Sequence, residues 1–282
     1  MIFPNVPDLI LEPMIRNALM EDLGTYGDAT TRAVIPIKTT YTAHLNARAD
    51  AVVSGMQVAR MAFHLVDPTL DIKTRVADGQ PCKAGETLMT LEGSAASILS
   101  AERVALNFAG RLTGIATKTA SFVAKTSGTN ARVTCTRKTT PGLRLVEKLA
   151  VLHGGGFNHR YSLSDAILIK DNHIAAAGGV RQVLEAAMAH ASHMMVVEIE
   201  VDRLDQLAEV LEVGGASVVL LDNMSNDMLR EAVTLVNGRM KTEASGNVTL
   251  DRVASIAATG VDYISSGGLT HSAATVDLGL DF

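Results

Sequence analysis

Apolar residues recur with helical spacing early in the chain. Leu9, Ile10, Met14, Ile15, Ala18 and Leu19 share one face between residues 7 and 22, and Gly24-Thr25-Tyr26-Gly27-Asp28 breaks the run. Over residues 41–92 the pattern shifts to short strand-like runs. These fall at Tyr41 to Arg48, Ala51 to Ser54, Leu70 to Val76 and Thr87 to Leu91, and they surround one helical stretch at Met56 to Val66. That mixture predicts a small antiparallel α+β unit. A longer helix is expected from about Ser97, because Ala101, Ala105, Phe108, Leu112 and Ile115 repeat at steps of three and four.

Beyond residue 130 short apolar runs end abruptly in polar residues. Val133 to Thr136 precedes Arg137 and Lys138, Ala166 to Ile169 precedes Lys170, and Met194 to Val197 leads into Glu198-Ile199-Glu200. Val218 to Leu221 leads into Asp222-Asn223, and Val261 to Ile264 precedes Ser265-Ser266-Gly267. Helical patterns at Val180 to Ala191, Arg203 to Val213, Asn226 to Val236 and Leu250 to Ala258 fill most of the gaps. Strand, helix, strand in regular succession predicts a parallel sheet, and its repetition suits a (β/α) barrel.

Composition narrows the class. Hydrophobic residues make up 47% and charged residues 20%, and with no Trp the core must be built from Ala, Val, Leu, Ile and Met. A net charge of -5 argues against a protein held on nucleic acid. Cys82 and Cys135 form neither a disulfide framework nor a metal-ligand spacing. Met1 to Asn5 lacks the look of a signal peptide, and no apolar stretch reaches ~18 residues, so neither export nor a membrane span is expected. A reducing cytoplasm is the expected compartment.

In (β/α) barrels the chemistry sits at the carboxyl ends of the strands. Here those ends hold Arg137, Lys138, Lys170, Glu200, Asp222, Ser245 and Ser266. Residues 137–173 carry six Lys or Arg against three acids, with His153, His159 and His173 among them. A basic pocket in an acidic protein focuses its field on a small anion rather than a polymer. Arg137 and Arg160 suit bidentate grips on carboxylate or phosphate, with Lys138 and Lys170 as point charges.

Glu200 and Asp222 would face those lysines, suiting Mg2+ held with pyrophosphate oxygens or hydrogen bonds to ribose hydroxyls. A structural ion pair with Lys138 or Lys170 is the competing reading. Glu198 alternates with Glu200, and both reach an open site only if that strand lacks a buried outer neighbour. Two glycine turns, Ser245-Gly246-Asn247 and Ser266-Gly267-Gly268, are read as opening helices and offering backbone N–H groups to a phosphate. Asn172 and His173 read equally as catalytic residues or as caps, and Cys135 reads as core.

Taken together, the motifs resemble those of the quinolinate phosphoribosyltransferases. The resemblance rests on Thr136-Arg137-Lys138-Thr139-Thr140-Pro141-Gly142-Leu143-Arg144, Gly154-Gly155-Gly156-Phe157-Asn158-His159-Arg160 and Leu168-Ile169-Lys170-Asp171-Asn172-His173. Glu198-Ile199-Glu200-Val201, Leu221-Asp222-Asn223, Glu243-Ala244-Ser245-Gly246 and Leu269-Thr270-His271-Ser272 follow in order. Glu21 to Gly24, Gly27 to Thr31 and Ala101 to Asn107 match as well, so the resemblance covers essentially the whole chain. One departure is Asn247, where the family usually has a second glycine.

The resemblance implies an α/β protein with an N-terminal α+β open sandwich (1–110, rejoined by the tail 273–282) and an incomplete seven-stranded α/β barrel (111–272). It implies a homodimer with a shared active site, able to assemble further, in which Arg103 reaches the partner's site. Quinolinate and phosphoribosyl pyrophosphate are the implied substrates and Mg2+ the implied cofactor. By position, Arg137, His159, Arg160 and Lys170 would surround the quinolinate carboxylates, with Lys138 and Lys170 near the phosphoribosyl group. Glu200 and Asp222 would hold ribose hydroxyls and the metal, while Ser245, Gly246, Asn247, Ser266, Gly267 and Gly268 would hold the 5′-phosphate. Thr136 and His271 complete the substrate-binding set, and Lys138, Lys170, Glu200 and Asp222 form the catalytic set.

Three rivals bear on this reading. They are a paralogue of the kind associated with molybdate transport genes, a Schiff-base aldolase using Lys138 or Lys170, and a pyridine-carboxylate sensor, the last disfavoured by the absence of a DNA-binding or signalling module.

Overall fold

The structure, a computed structural model, describes residues 6–282, so the segment Met1 to Asn5 lies outside it. The described residues divide into two compact units: residues 6–120, 140–155 and 272–282 form one, and residues 121–139 and 156–271 the other.

The first unit opens with α1 (Asp8–Leu23), which ends at Gly24 in the left-handed region, and α2 (Ala29–Val34), capped by Asp28 accepting from the Thr31 N–H at 2.9 Å. These two ends explain the glycines and Asp28 of the N-terminal motif in structural terms. There follow β1 (Thr40–Ala47), β2 (Ala51–Val52), α3 (Met56–Val66), β3 (Asp71–Thr74), β4 (Pro81–Cys82), β5 (Thr87–Ser94) and the long α4 (Ala95–Lys125). On β1, Ala43, Leu45 and Ala47 are buried while His44 and Asn46 are not, the alternation of a sheet with one covered face.

The C-terminal segment completes that sheet. Cβ atoms on Gly110 and Gly114 of α4 would stand 2.7 Å from the Val276 carbonyl oxygen and 1.9 Å from that of Ala274. Only bare backbone admits so close a crossing, which delivers the last strand to β1.

The second unit begins with β6 (Arg132–Thr134). The next helix, α5 (Arg144–His153), belongs to the first unit. Then come β7 (Ile167–Ile169), α6 (Asp171–Ala177), α7 (Val180–His190), β8 (Val197–Val201), α8 (Leu204–Val213), β9 (Val218–Asp222), α9 (Asn226–Val236), β10 (Lys241–Ser245), α10 (Val253–Ala257), β11 (Tyr263–Ser265) and α11 (Gly268–His271). The final strand, β12 (Leu278–Asp281), pairs antiparallel with β1 in the sheet order β12-β1-β5-β3 of the first unit.

The second unit's sheet is parallel and runs β6-β11-β10-β9-β8-β7. A seventh position exists, but only as a bridge: Phe157 pairs parallel with Thr134, its N–H reaching Val133 and its carbonyl accepting from Cys135. Flanked by the Gly154 to Gly156 turn, that segment makes no continuous strand. Among the described residues no pairing joins it to β7, which is where the barrel stays open. Carboxyl ends of all six strands line one cavity, so the sheet curls round it.

The boundaries differ from the hydropathy pattern in one instructive way. β10 does not show as an apolar run, because Thr242 and Glu243 are polar yet buried at its centre. Glu198 and Glu200 likewise lie inside β8 rather than after it.

Candidate active site

Side chains alternate along a strand, so residues two apart share a face. In this barrel Leu168 and Lys170, Leu220 and Asp222, Glu243 and Ser245, and Ser265 and Gly267 line the same cavity of about 770 Å³. On β8 the same rule puts Glu198 and Glu200 on one inward face, although only one of them reaches the open cavity. Glu200 reaches the cavity, and Glu198 sits one step deeper, buried. The parallel registers Leu168↔Glu198, Glu200↔Leu220, Leu220↔Glu243 and Asp222↔Ser245 set these groups at matching depths.

Of the residues singled out from sequence, Thr136, Arg137, Lys138, His159, Arg160, Lys170, Glu200, Asp222, Ser245, Gly246, Asn247, Ser266, Gly267, Gly268 and His271 all line this cavity. Arg103 does not. It lies on α4 in the first unit, largely exposed, beside a separate cavity that Glu21 and Asp22 also line. The wider basic segment also disperses: Arg144 and Lys148 are on α5 in the first unit, with Lys148 fully buried. His153 bonds Ser54 Oγ at 2.8 Å, and His173 Nδ1 accepts from the Lys170 N–H at 2.9 Å as a cap. His159 alone of the three histidines faces the cavity.

Among the described residues, Arg137 and Arg160 each keep a buried Nε–H without a hydrogen-bond partner. Orphaned, desolvated guanidinium donors are costly unless an anion completes them. Arg160 Nη1 is tied to the Ala166 carbonyl at 2.9 Å. Burial, and then the neighbouring Arg137 charge, hold Arg160 below the usual arginine pKa, while Glu198 and Asp165 oppose that shift. Lys170 is ion-paired to Glu200 Oε2. For Glu200 the structural ion pair is therefore real, whereas among the described residues Asp222 pairs with no cation. Its Oδ2 accepts instead from Asn223 Nδ2 at 2.6 Å.

At the floor of the cavity lies a cluster that the hydropathy pattern concealed. His159 Nε2 stands 2.9 Å from Glu198 Oε2 and 3.8 Å from Glu243 Oε1. The ring's Nδ1 accepts the Arg160 backbone N–H at 2.8 Å, which leaves Nε2 as the protonated nitrogen donating to Glu198. Glu243 is pushed up to about 7, first by burial and then by the Glu198 charge, with His159 pulling the other way. Glu198 and Glu243 were readable in principle, since each precedes an inward site residue by two positions.

Both glycine turns present backbone to the cavity. The first opens no helix directly: α10 starts only at Val253, so the N–H groups of Gly246 and Asn247 belong to a turn with both residues at positive φ, not to a helix end. The second, Ser266-Gly267-Gly268, does lead straight into α11.

For a divalent cation, Glu200 and Asp222 offer hard oxygen donors, and among the described residues Asp222 Oδ1 has no hydrogen bond. Two carboxylates without a third protein ligand fit Mg2+ that shares a substrate's phosphate oxygens, not a resident ion in a protein cage.

A parallel open barrel whose strand ends gather paired guanidinium donors, two lysines, two carboxylates and two backbone-rich turns is that of an enzyme acting on phosphorylated, carboxylate-bearing small molecules. Comparison with known proteins specifies it. The chain belongs to the quinolinate phosphoribosyltransferase family: residues 28–113 match the model of its N-terminal domain and residues 115–281 that of its C-terminal domain. It is 45% identical over 294 residues to quinolinate phosphoribosyltransferase [decarboxylating] 1b of Nicotiana tabacum, covering 98% of this chain and 83% of that one. It is 39% identical over 273 residues to the probable nicotinate-nucleotide pyrophosphorylase [carboxylating] of Bacillus subtilis, covering 97% and 93%. Among solved structures, NadC of Streptococcus pyogenes superposes with a TM-score of 0.95 at 37% identity, covering 99% and 98%. The nicotinate-nucleotide pyrophosphorylase of Francisella tularensis gives 0.93 at 38%, covering 98% and 97%.

Proposed function

We propose that this protein joins quinolinate to phosphoribosyl pyrophosphate, releasing pyrophosphate and CO2 and forming nicotinate mononucleotide for NAD synthesis. The observation that carries the substrate assignment is the pair of unpartnered buried Nε–H groups on Arg137 and Arg160, in a cavity of the size that a small dicarboxylate and a sugar phosphate require. Quinolinate brings two carboxylates to those donors. His159, fixed by Glu198, shapes the floor beneath the ring, and Lys138 supplies an ammonium that no acid among the described residues holds.

The ring nitrogen attacks the anomeric carbon as its bond to the diphosphate oxygen breaks, through a ribose of oxocarbenium character. Glu200 and Asp222 stabilise that developing positive charge, and preorganised charge of this kind is worth most where water is excluded. Lys138 and Lys170 stabilise the departing diphosphate, whose charge Mg2+ neutralises when bound with it. The turns at Gly246–Asn247 and Gly267–Gly268 receive the 5′-phosphate. Once alkylated, the positively charged pyridinium nitrogen stabilises the carbanion left on the adjacent ring carbon as that carboxylate departs as CO2, and a proton from solvent then bonds to that carbon.

We assign a homodimer in which Arg103, exposed on α4, completes the partner's site. Cys82 and Cys135 are both buried thiols, which suit a reducing compartment, and we place the enzyme in the cytoplasm. No helix among the described residues is long and apolar enough to cross a membrane. The deciding assay supplies quinolinate, phosphoribosyl pyrophosphate and Mg2+ and follows nicotinate mononucleotide and CO2. Nicotinate offers one carboxylate fewer and should be turned over at least about 10³-fold less efficiently, because its binding leaves a buried donor unpaired. Comparable turnover of nicotinate would reject the assignment.

A further inference from the structure

Between the first phosphate turn and Asp222 runs a two-amide chain that the reaction as described leaves unused. Asn247 Nδ2 donates to Asn223 Oδ1 at 3.1 Å, and Asn223 Nδ2 donates to Asp222 Oδ2 at 2.6 Å. The Asn223 backbone is pinned from the neighbouring strand, its N–H reaching the Ser245 carbonyl at 2.9 Å. Its side chain lies directly over Gly246, where a Cβ would stand 2.1 Å from Asn223 Oδ1. Asn223 and Asn247 both adopt left-handed backbone, at φ 54° and 50°, which asparagine tolerates better than most residues.

The polarity of this chain is what matters. An asparagine amide has a donor end and an acceptor end, and nothing in its shape decides which one faces a neighbour. The Asp222 carboxylate, which only accepts, takes the donor end, and Asn247 locks that choice from the other side. By donating to Oδ1, it leaves Nδ2 as the end that meets the Asp222 carboxylate. Reversing the Asn223 amide would set its oxygen against a carboxylate oxygen and its NH2 against the Asn247 NH2. Asp222 is thereby held by one oxygen, with Oδ1 left unbonded for the ligand.

We infer that Asn247 and Asn223 are positioning residues for Asp222: the Asn247 amide sets the orientation of Asn223, which fixes the Asp222 carboxylate for the reacting ribose. The hydrogen bond to Asn223 gives the Asn247 side chain a place that does not fill the turn. The carboxylate of Asp222 and the turn that receives the phosphate are joined by two hydrogen bonds, so the two ends of the phosphoribosyl group are read by one connected unit. Misplacing a preorganised charge slows the chemical step far more than it weakens binding. This inference rests on the role given to Asp222 above.

Asn247→Gly is the cleanest test, since glycine keeps the left-handed turn without strain and removes only the amide. With wild-type activity established first, kcat should fall about 5–20-fold while KM for quinolinate and the calorimetric Kd for phosphoribosyl pyrophosphate move less than about threefold. Asn223→Ala should reproduce the loss, and adding Asn247→Gly to it should cost little more, because residues acting through one partner are not additive. In an Asp222→Asn background with measurable residual turnover, Asn247→Gly should change kcat less than about twofold, as the group it positions is already neutral. The inference is overturned if Asn247→Gly leaves kcat intact and raises only KM and Kd for phosphoribosyl pyrophosphate, which would make Asn247 a phosphate ligand. It is equally overturned if the losses from Asn247→Gly and Asn223→Ala multiply. A wild-type protein inert toward quinolinate would reject the functional assignment itself, a result distinct from either.

Discussion

Glu243→Gln should stabilise this protein, by an amount that grows as the pH rises from 4.5 to about 7. Glu243 lies on β10 at 4% exposure, its Oε1 without a hydrogen bond among the described residues and the Glu198 carboxylate close by. In the unfolded chain it titrates near 4.5, and in the folded protein burial and Glu198 raise it to about 7. Between those values the native state holds a proton that the unfolded state has released. Stability therefore falls as pH rises from 4.5 to about 7 and is flat above. The full span corresponds to about 3 kcal/mol. Glutamine mimics the protonated acid at every pH, so the variant escapes the loss.

The melting temperature of Glu243→Gln should thus exceed that of the wild type by about 6 °C at about pH 8, taking about 2 °C per kcal/mol for a chain of this length. The difference should shrink toward zero as the pH falls to about 4.5–5. Calorimetric scans at closely spaced pH values would trace it. A difference independent of pH, or a loss of stability that is largest at alkaline pH, would show that Glu243 is charged and satisfied in the native state and would refute the reasoning.

Other expectations follow from the same geometry. Arg137→Ala and Arg160→Ala should each lower kcat/KM for quinolinate by about 10²-fold or more, with the gap to nicotinate narrowing, since the deleted donor is the one that discriminates. Asp222→Asn should cut kcat by about 10²–10³ with a melting point within about 2 °C of the wild type, because no cation loses its partner; a collapsed melting point with near-normal turnover would assign Asp222 to the scaffold. Arg103→Ala and Lys138→Ala should each be nearly inactive as homodimers. Mixed and refolded, they should recover up to about a quarter of wild-type activity, because about half the dimers are hybrids with one intact site; no recovery despite proven subunit exchange would place Arg103 outside the partner's site.

The sequence revealed the outer shell of the barrel better than its interior, and the reason is electrostatic. α3, α9 and the buried faces of β8 and β9 carry ordinary apolar patterns, so periodicity found them. β10 escaped because its inward positions are Glu243 and Ser245, as the site's chemistry requires, and a hydropathy count reads such a strand as a loop. The resemblance to known phosphoribosyltransferases supplied what periodicity lacked there, since Glu243-Ala244-Ser245-Gly246 is one of its motifs. Strand-end logic located Glu200 and Asp222 but stopped one layer short. Applied consistently, the period of two assigns Glu198 and Glu243 to the floor below them, where they face His159. Counting charge along residues 137–173 erred in the opposite direction. It treated sequence neighbours as spatial ones, whereas α5 carries Arg144, Lys148 and His153 into the first unit. The Asn247-Asn223-Asp222 chain was beyond any pattern. It depends on two residues in left-handed backbone and on a glycine that leaves room for an amide, and these become visible only when the turn is seen in three dimensions. A cavity with unpaired arginines announces its ligand, whereas the groups that aim a carboxylate are satisfied by one another and leave no such trace.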